Sequence, residues 1–286
     1  MAKLLHTPIY LLESLSKYTG VETWVKDETK NLSGSFKDRA TINVLSRYKN
    51  KDLVLSSSGN AAISYMTYFK NSNQKSLHIF ISESIDKRKK EKIDSLLSLN
   101  IYIHSVADPR KEMVEWMKSH KKSVIVNSTV EHASSMEGYT KLGMEIEKDL
   151  PEFDSIFVNV SSGTAFCGIY KGFVSEHKFF AIQNSRHNSV AKLYDFNFQS
   201  EASSIADCIS MPVTPYLEEI TKIIDKSHGS SYAIENLRIE SSIELLKRLE
   251  NLNLTNDGAL TFAGYIKAIE NGDIKRQSRS VIIISG

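Results

Sequence analysis

The chain has 286 residues, 41% of them hydrophobic, which is too apolar for a disordered polymer and long enough for two α/β units with sizeable cores. Lysines and arginines number 36 against 34 acidic residues, and a net charge of +2 gives no reason to expect a polyanionic partner. The two cysteines, Cys167 and Cys208, fit neither a metal-ligand spacing nor a disulfide framework. No run approaches the roughly 18 apolar residues of a membrane span, and Met1 to Leu12 lacks the apolar core of a leader. A soluble, cytoplasmic protein that works on a small molecule is expected, with no nucleic-acid or membrane partner.

Residues 7–12 read as a first strand, followed by a helix or turn to Gly20 and a strand over 22–27. Ser33-Gly34-Ser35-Phe36-Lys37-Asp38-Arg39 then sets one lysine between a small-residue turn and a helix predicted over 36–48. Gly34 permits a sharp turn, Ser33 and Ser35 are N-cap candidates, and Asp38 suits the positive end of the helix dipole. An ammonium at a helix start is electrostatically disfavoured, and a depressed pKa would make Lys37 a better amine nucleophile, so it is a candidate Schiff-base lysine. Taken alone, the segment also suits a surface lysine reaching into water.

From residue 53 short apolar strands alternate with amphipathic helices. The strands are expected at 53–57, 77–82, 101–106 and 124–127, and the helices at 61–71, 87–99, 110–120 and 136–150. That alternation implies right-handed crossovers and a parallel sheet. The basic run Lys87, Arg88, Lys89, Lys90 and Lys92 shares its helix with Ile93, Leu96 and Leu97 and reads as a solvated face. A second set of strands is expected at 155–160, 179–183 and 280–285, with helices at 217–225, 241–252 and 261–271 and a loop-rich stretch over 184–215. The fold class is thus α/β in two lobes, each a mostly parallel twisted sheet flanked by helices. Residues 44–135 form the expected smaller lobe, and residues 1–43 and 136–286 the larger.

Two loops have the composition of anion sites. Ser56-Ser57-Ser58-Gly59-Asn60-Ala61-Ala62 lies at the carboxyl end of a predicted strand, where open parallel sheets bind ligands. Its amides at a helix start could hold a carboxylate through Ser57, Ser58 and Gly59, and Asn60 offers both a donor and an acceptor; a glycine-assisted helix cap is the plainer reading. Ser161-Ser162-Gly163-Thr164-Ala165-Phe166-Cys167-Gly168 repeats the strand, loop and helix order, and its successive amides make a phosphate cradle without a basic side chain. Cys167 reads as a small buried filler.

Taken together, the lysine segment, residues 56–62, residues 161–168 and the terminal Ile282-Ile283-Ile284-Ser285-Gly286 resemble, in order, the motifs of the fold-type II enzymes that use pyridoxal 5'-phosphate (PLP), and among them look most like threonine synthase. The resemblance spans nearly the whole chain. It implies a tryptophan synthase β-like fold with the cofactor in the cleft between the lobes. Lys37 would hold PLP beside Phe36, Asn60 would contact the ring hydroxyl, and Ser162, Gly163, Thr164, Ala165 and Phe166 would hold the phosphate. Ser285 would face the pyridine nitrogen, the 57–60 loop would grip an amino-acid carboxylate, and the protein would be a homodimer. No metal is implied.

The chain also departs from the family pattern. Ser161, Ser162 and Ala165 thin a glycine-rich loop, Cys208 replaces the glycine of an Ala-Asp-Gly segment at 206–208, and Thr255-Asn256 stand where relatives carry Glu-Pro. The family's Gly-rich loop after the serine at 285 has no counterpart in the sequence. Val126-Asn127-Ser128 and Met136-Glu137-Gly138 resemble the segment leading to the substrate-phosphate site of threonine synthase, yet its arginine falls at Ser135. The expected reaction is elimination of phosphate from O-phosphohomoserine with water addition to give threonine. The alternatives are β-elimination or β-replacement on serine, O-acetylserine or O-phosphoserine, and a catalytically silent relative that serves as a binding subunit.

Overall fold

The computed structural model describes residues 5–57, 59–85, 87–126, 132–207, 209 and 211–286; Ser58, Asn127, Ser128 and Cys208, singled out above, lie outside the described residues. In chain order, strand β1 (Ile9–Leu11), helix α1 (Glu13–Thr19) and strand β2 (Glu22–Asp27) precede α2 (Lys37–Arg47), β3 (Asp52–Ser56), α3 (Asn60–Phe69) and β4 (Ser76–Ser82). Next come α4 (Lys87–Ser95), β5 (Ile101–Val106), α5 (Pro109–Ser119), β6 (Val124–Ile125) and α6 (His132–Asp149). The last part holds β7 (Ser155–Asn159), α7 (Thr164–Lys171), β8 (Lys178–Asn184), α8 (Leu217–Ser227), β9 (Ser230–Ile234), α9 (Asn236–Glu250), α10 (Asn256–Glu270) and β10 (Arg279–Ile284).

The chain divides into two compact units, residues 1–5 with 31–138 and residues 6–30 with 139–286. This division differs from the expected one by grouping Leu5, residues 31–43 and residues 136–138 with the smaller unit. The reason is packing: α2 lies against α3, and α6 crosses α2 so closely that a Cβ at Gly138 would fall on the Arg39 carbonyl oxygen.

The first unit is built on a four-stranded sheet in the order β5-β4-β3-β6, parallel throughout. Its inner strands β3 and β4 are largely apolar on both faces because helices cover both. Leu53, Leu55, Leu77, Ile79 and Ile81 pack with Ala62, Tyr65, Met66 and Phe69 of α3, while Val54 and Phe80 point the other way, to Met113 of α5. Asp108 caps α5 by accepting from Lys111 N at 3.1 Å, with Pro109 at the first helical position.

The second unit carries a six-stranded sheet in the order β1-β2-β10-β7-β8-β9, in which only the β1–β2 pair is antiparallel. Its core sets Phe157, Phe180, Ile182, Ile282 and Ile284 against Leu260, Phe262 and Ala263 of α10, with the Phe157 and Phe180 rings stacked at 4.5 Å. Two lysines are buried there with complete polar shells. Lys26 reaches Glu145 at 2.5 Å, Asp149 at 3.2 Å and the Thr7 carbonyl at 2.7 Å. Lys267 reaches Asp195 at 2.6 Å and the carbonyls of Asn197 and Ala233 at 2.9 and 3.2 Å.

Sequence patterning did not anticipate β9, whose Ser230-Ser231 start is polar; both serines join the sheet, and Ser231 Oγ donates to the Ala181 carbonyl at 2.6 Å. Helix α6 begins at His132 rather than 136 and α9 at Asn236 rather than 241, because both first turns are polar or mixed in composition. Among the described residues, no helix is long and apolar enough to cross a membrane.

Candidate active site

Lys37 opens α2 at the end of a turn that depends on Gly34, whose φ of 89° lies in the left-handed region. Gly34 N donates to the Asn31 carbonyl at 2.9 Å, and the bonds Asp38 N to Ser35 O (3.3 Å) and Arg39 N to Phe36 O (3.0 Å) carry the turn into the helix. The two candidate capping serines act otherwise than expected. Phe36 precedes the helix already in helical geometry with no side-chain cap; Ser35 Oγ accepts from Lys37 N at 3.3 Å, and Ser33 turns to Asp38 instead. Lys37 is half-buried, with its Nζ 5.1 Å from the centroid of the buried Phe36 ring, inside cation–π range.

Ser57, Gly59 and Asn60 follow the carboxyl end of β3 in the same unit. Ser57 N continues the ladder by donating to the Phe80 carbonyl at 3.2 Å, Gly59 N donates to Ser57 Oγ at 3.3 Å, and the first bond of α3 is Ile63 N to Gly59 O at 3.2 Å. The amides of Asn60 to Ala62 therefore precede the helical ladder and stand at a positive helix end. Ser57, Gly59 and Asn60 are half-buried. Ser135 sits on α6 and is buried. Beside it, Ser134 accepts at its carbonyl from Asn43 Nδ2 (2.8 Å) and at its hydroxyl from Arg47 Nη1 (3.1 Å), so a guanidinium stands one residue from Ser135.

In the second unit the loop after β7 turns on Gly163 at φ 91°, and α7 follows with its first intrahelical bond from Cys167 N to Gly163 O at 3.0 Å. The amides of residues 164–166 thus come before the helical ladder, and the hydroxyls of Ser162 and Thr164 lie 3.1 Å apart at its mouth. The loop is fixed from behind: Thr214 Oγ1 donates to Ser161 O at 2.9 Å and Tyr216 N to Ser162 O at 3.4 Å. A Cβ at Gly163 would meet Ile220 Cδ1 at 2.6 Å and Tyr216 Cβ at 2.9 Å, so this glycine is required twice over. Cys167 is buried, and burial pushes its thiol up to about 12, as suits a filler and not a nucleophile.

Ser285 follows β10 and is buried; its carbonyl oxygen lies at van der Waals distance from where a Cβ of Gly258, in the first turn of α10, would stand. The departures at Thr255 and Asn256 are structurally absorbed: Thr255 Oγ1 caps α10 by accepting from Gly258 N at 3.2 Å, and Asn256 Nδ2 donates to the Ile205 carbonyl at 3.0 Å. Asn184, at the end of β8, donates to the carbonyls of Ala206 and Ile209 at 3.1 and 2.7 Å and so ties down those two residues.

A sequence model of the pyridoxal-phosphate dependent enzyme family matches residues 3–286. The chain belongs to that family. Its fold is that of the fold-type II enzymes and its cofactor is PLP. The chain is similar to threonine synthase of Bacillus sp. (strain ULM1), 23% identical over 290 residues that take in 98% of this chain and 82% of that enzyme. It is also similar to threonine synthase of Methanocaldococcus jannaschii, 24% identical over 300 residues, 98% and 74% of the two chains. Among solved structures, threonine deaminase isoform 2 from Solanum lycopersicum superposes with a TM-score of 0.79 at 19% identity, over 99% of this chain and 79% of that one. Maize serine racemase does so with 0.78 at 18%, over 98% and 87%.

The residues described above fit PLP by their chemistry. The start of α7 offers amides and hydroxyls without an acidic side chain in the loop, which suits a phosphate. In the first unit a half-buried lysine and an asparagine at a helix start, and in the second a serine hydroxyl, are an amine, an amide and a neutral group of the kinds that suit an aldehyde, a ring hydroxyl and a ring nitrogen.

Proposed function

We propose that the enzyme eliminates phosphate from O-phosphohomoserine and adds water to give threonine. The observation that carries this reading is the run of similarity to threonine synthases over 98% of the chain, joined to the lysine turn at Ser33–Arg39. Lys37 would hold PLP through its Nζ, and the same amine would be the base that moves the α proton. When bound, PLP would supply an electron sink. Asn60 orients the ring through its amide, and the 57–60 loop binds the substrate carboxylate at the start of α3. The amides of residues 162–166 hold the cofactor phosphate. The hydroxyl of Ser285 would serve the ring nitrogen and, being neutral, would not keep it protonated as a carboxylate would, which would favour elimination over transamination.

A second reading rests on Ser135, which puts a buried hydroxyl where threonine synthases carry an arginine for the substrate phosphate. It assigns β-elimination or β-replacement on O-acetylserine or O-phosphoserine. Incubation with O-phosphohomoserine, following phosphate and threonine together, separates the two. Neither product, with pyruvate or a β-substituted alanine formed from the serine esters, gives the case to the second reading. Lys37→Ala should fold with an unchanged melting profile and lose both turnover and the borohydride-fixed mass of the cofactor; retained turnover refutes the role of Lys37.

A further inference from the structure

The residue after Lys37 is a carboxylate with 0% exposure, Asp38. On Oδ2 it accepts from Ser33 N at 2.9 Å and from Tyr68 Oη at 3.0 Å; on Oδ1 it accepts from Ser33 Oγ and, at 2.6 Å, from Ser64 Oγ. Ser33 belongs to the Gly34 turn, while Ser64 and Tyr68 lie one and two turns along α3 from Asn60. Burial, and then the charge of Asp38, hold the Tyr68 phenol well above its ordinary range, so it stays a donor. A desolvated carboxylate persists only where donors satisfy it, and here every one of these donors comes from one of the two segments that bear Lys37 and Asn60.

We propose that Asp38 is a positioning residue that locks the Lys37 turn to the helix bearing Asn60, so that amine and amide meet one cofactor ring at a fixed spacing. The proposal rests on the reading of Lys37 and Asn60 given above. The Ser33 amide spans the turn to reach Asp38, closing residues 33–38 into a ring with Lys37 inside it. Removing the carboxylate leaves that amide buried without its acceptor, and the turn must shift to satisfy it. An amide side chain in its place behaves differently. Its oxygen can still face Ser33 N and Tyr68, and its NH2 can face the serine hydroxyls, which rotate to accept.

The test measures PLP dissociation constants and borohydride labelling of Lys37, alongside melting temperature. Asp38→Ala is expected to weaken PLP binding about tenfold or more and to slow labelling, and Asp38→Asn to stay within about threefold of the unaltered protein. Thr41→Val is the structural control. Thr41 Oγ1 lies 2.8 Å from Ser64 Oγ on the same seam, and among the described residues its side chain hydrogen-bonds neither the turn nor Asp38, so this variant should lower the melting temperature and leave PLP affinity unchanged. Absence of label on Lys37 in the unaltered protein defeats the reading of the site itself. Label present there, with wild-type PLP affinity in Asp38→Ala, overturns the proposal while leaving that reading intact. If Asp38→Ala does not fold, Ser64→Ala and Tyr68→Phe decide: each should weaken PLP binding about two- to fivefold, and unchanged affinity in both overturns the proposal.

Discussion

Replacing Gly163 with alanine probes the proposed phosphate loop with a single methyl group, and its cost can be worked from the backbone and from two neighbouring atoms. The φ of 91° places an L-residue in left-handed territory, at about 1–2 kcal/mol. The new Cβ also stands 2.6 Å from Ile220 Cδ1 and 2.9 Å from Tyr216 Cβ, an overpacking that adds about 1–3 kcal/mol. The sum, about 2–5 kcal/mol, is to be read from urea or thermal melts of the protein without cofactor. PLP titration should show affinity falling about tenfold, because the amides of residues 164–166 are re-aimed when the loop yields. Ile220→Val deletes the atom at 2.6 Å at a cost of about 0.5–1.5 kcal/mol by itself. In a double-mutant cycle it should return about 1 kcal/mol to Gly163→Ala without relieving φ or the Tyr216 contact. A Gly163→Ala protein that melts and binds PLP like the unaltered one would refute both the strain argument and the phosphate assignment.

Two further outcomes follow from one half-buried and one buried ionisable group. Burial, with His104 beside it and His120 near, brings the His78 imidazole down to about 4, against a smaller opposing pull from Asp52. The unfolded chain therefore binds a proton that the fold refuses between about 6.5 and 4, so this contribution to stability is complete above about 6.5 and lost as pH falls through that window. His78→Phe should flatten the fall between melts at pH 7 and pH 5; an unaltered slope would show that the acid sensitivity lies elsewhere. Lys267→Met should cost about 3–5 kcal/mol, since Asp195 would remain buried with only the amides of Ala233 and Asn197 for company; a melt within 1 kcal/mol, on the order of a surface substitution, would contradict that.

The parts of this fold that could be read from sequence are those in which local pattern and tertiary role agree. Leu53-Val54-Leu55 and Val281-Ile282-Ile283-Ile284 are apolar without alternation because helices cover both faces of their sheets, and a run of that kind already names a buried parallel strand. Ser33 to Arg39 announced itself because a turn glycine, a lysine and a helix start are adjacent in the chain. Asp38 did not, since a carboxylate in the first turn of a helix looks like a solvated partner of the dipole, and its ties to Ser64 and Tyr68 skip 26 and 30 residues. Lys26 and Lys267 were equally silent: each looks like surface charge until Glu145 and Asp195 come to it from far along the chain. Strand β9 was missed because its apolar signal amounts to Tyr232, Ala233 and Ile234 after two serines.

The strands that close off the two sheets differ in length, and the difference bears on how this protein would aggregate. Strand β1 has three residues and β6, among the described residues, two, which is too short to template another chain, while β9 has five but all except Ser230 are buried and its Ala233 amide and carbonyl are taken by Asp195 and Lys267. Strand β5 has six, Ile-Tyr-Ile-His-Ser-Val, with no proline and no formal charge, and among the described residues it pairs only with β4. That composition is the one that adds strands from neighbouring molecules once a protein loosens. Heat- or acid-loosened chains should therefore first join through β5, and a lysine in place of the exposed Ser105 would place a charge on that edge.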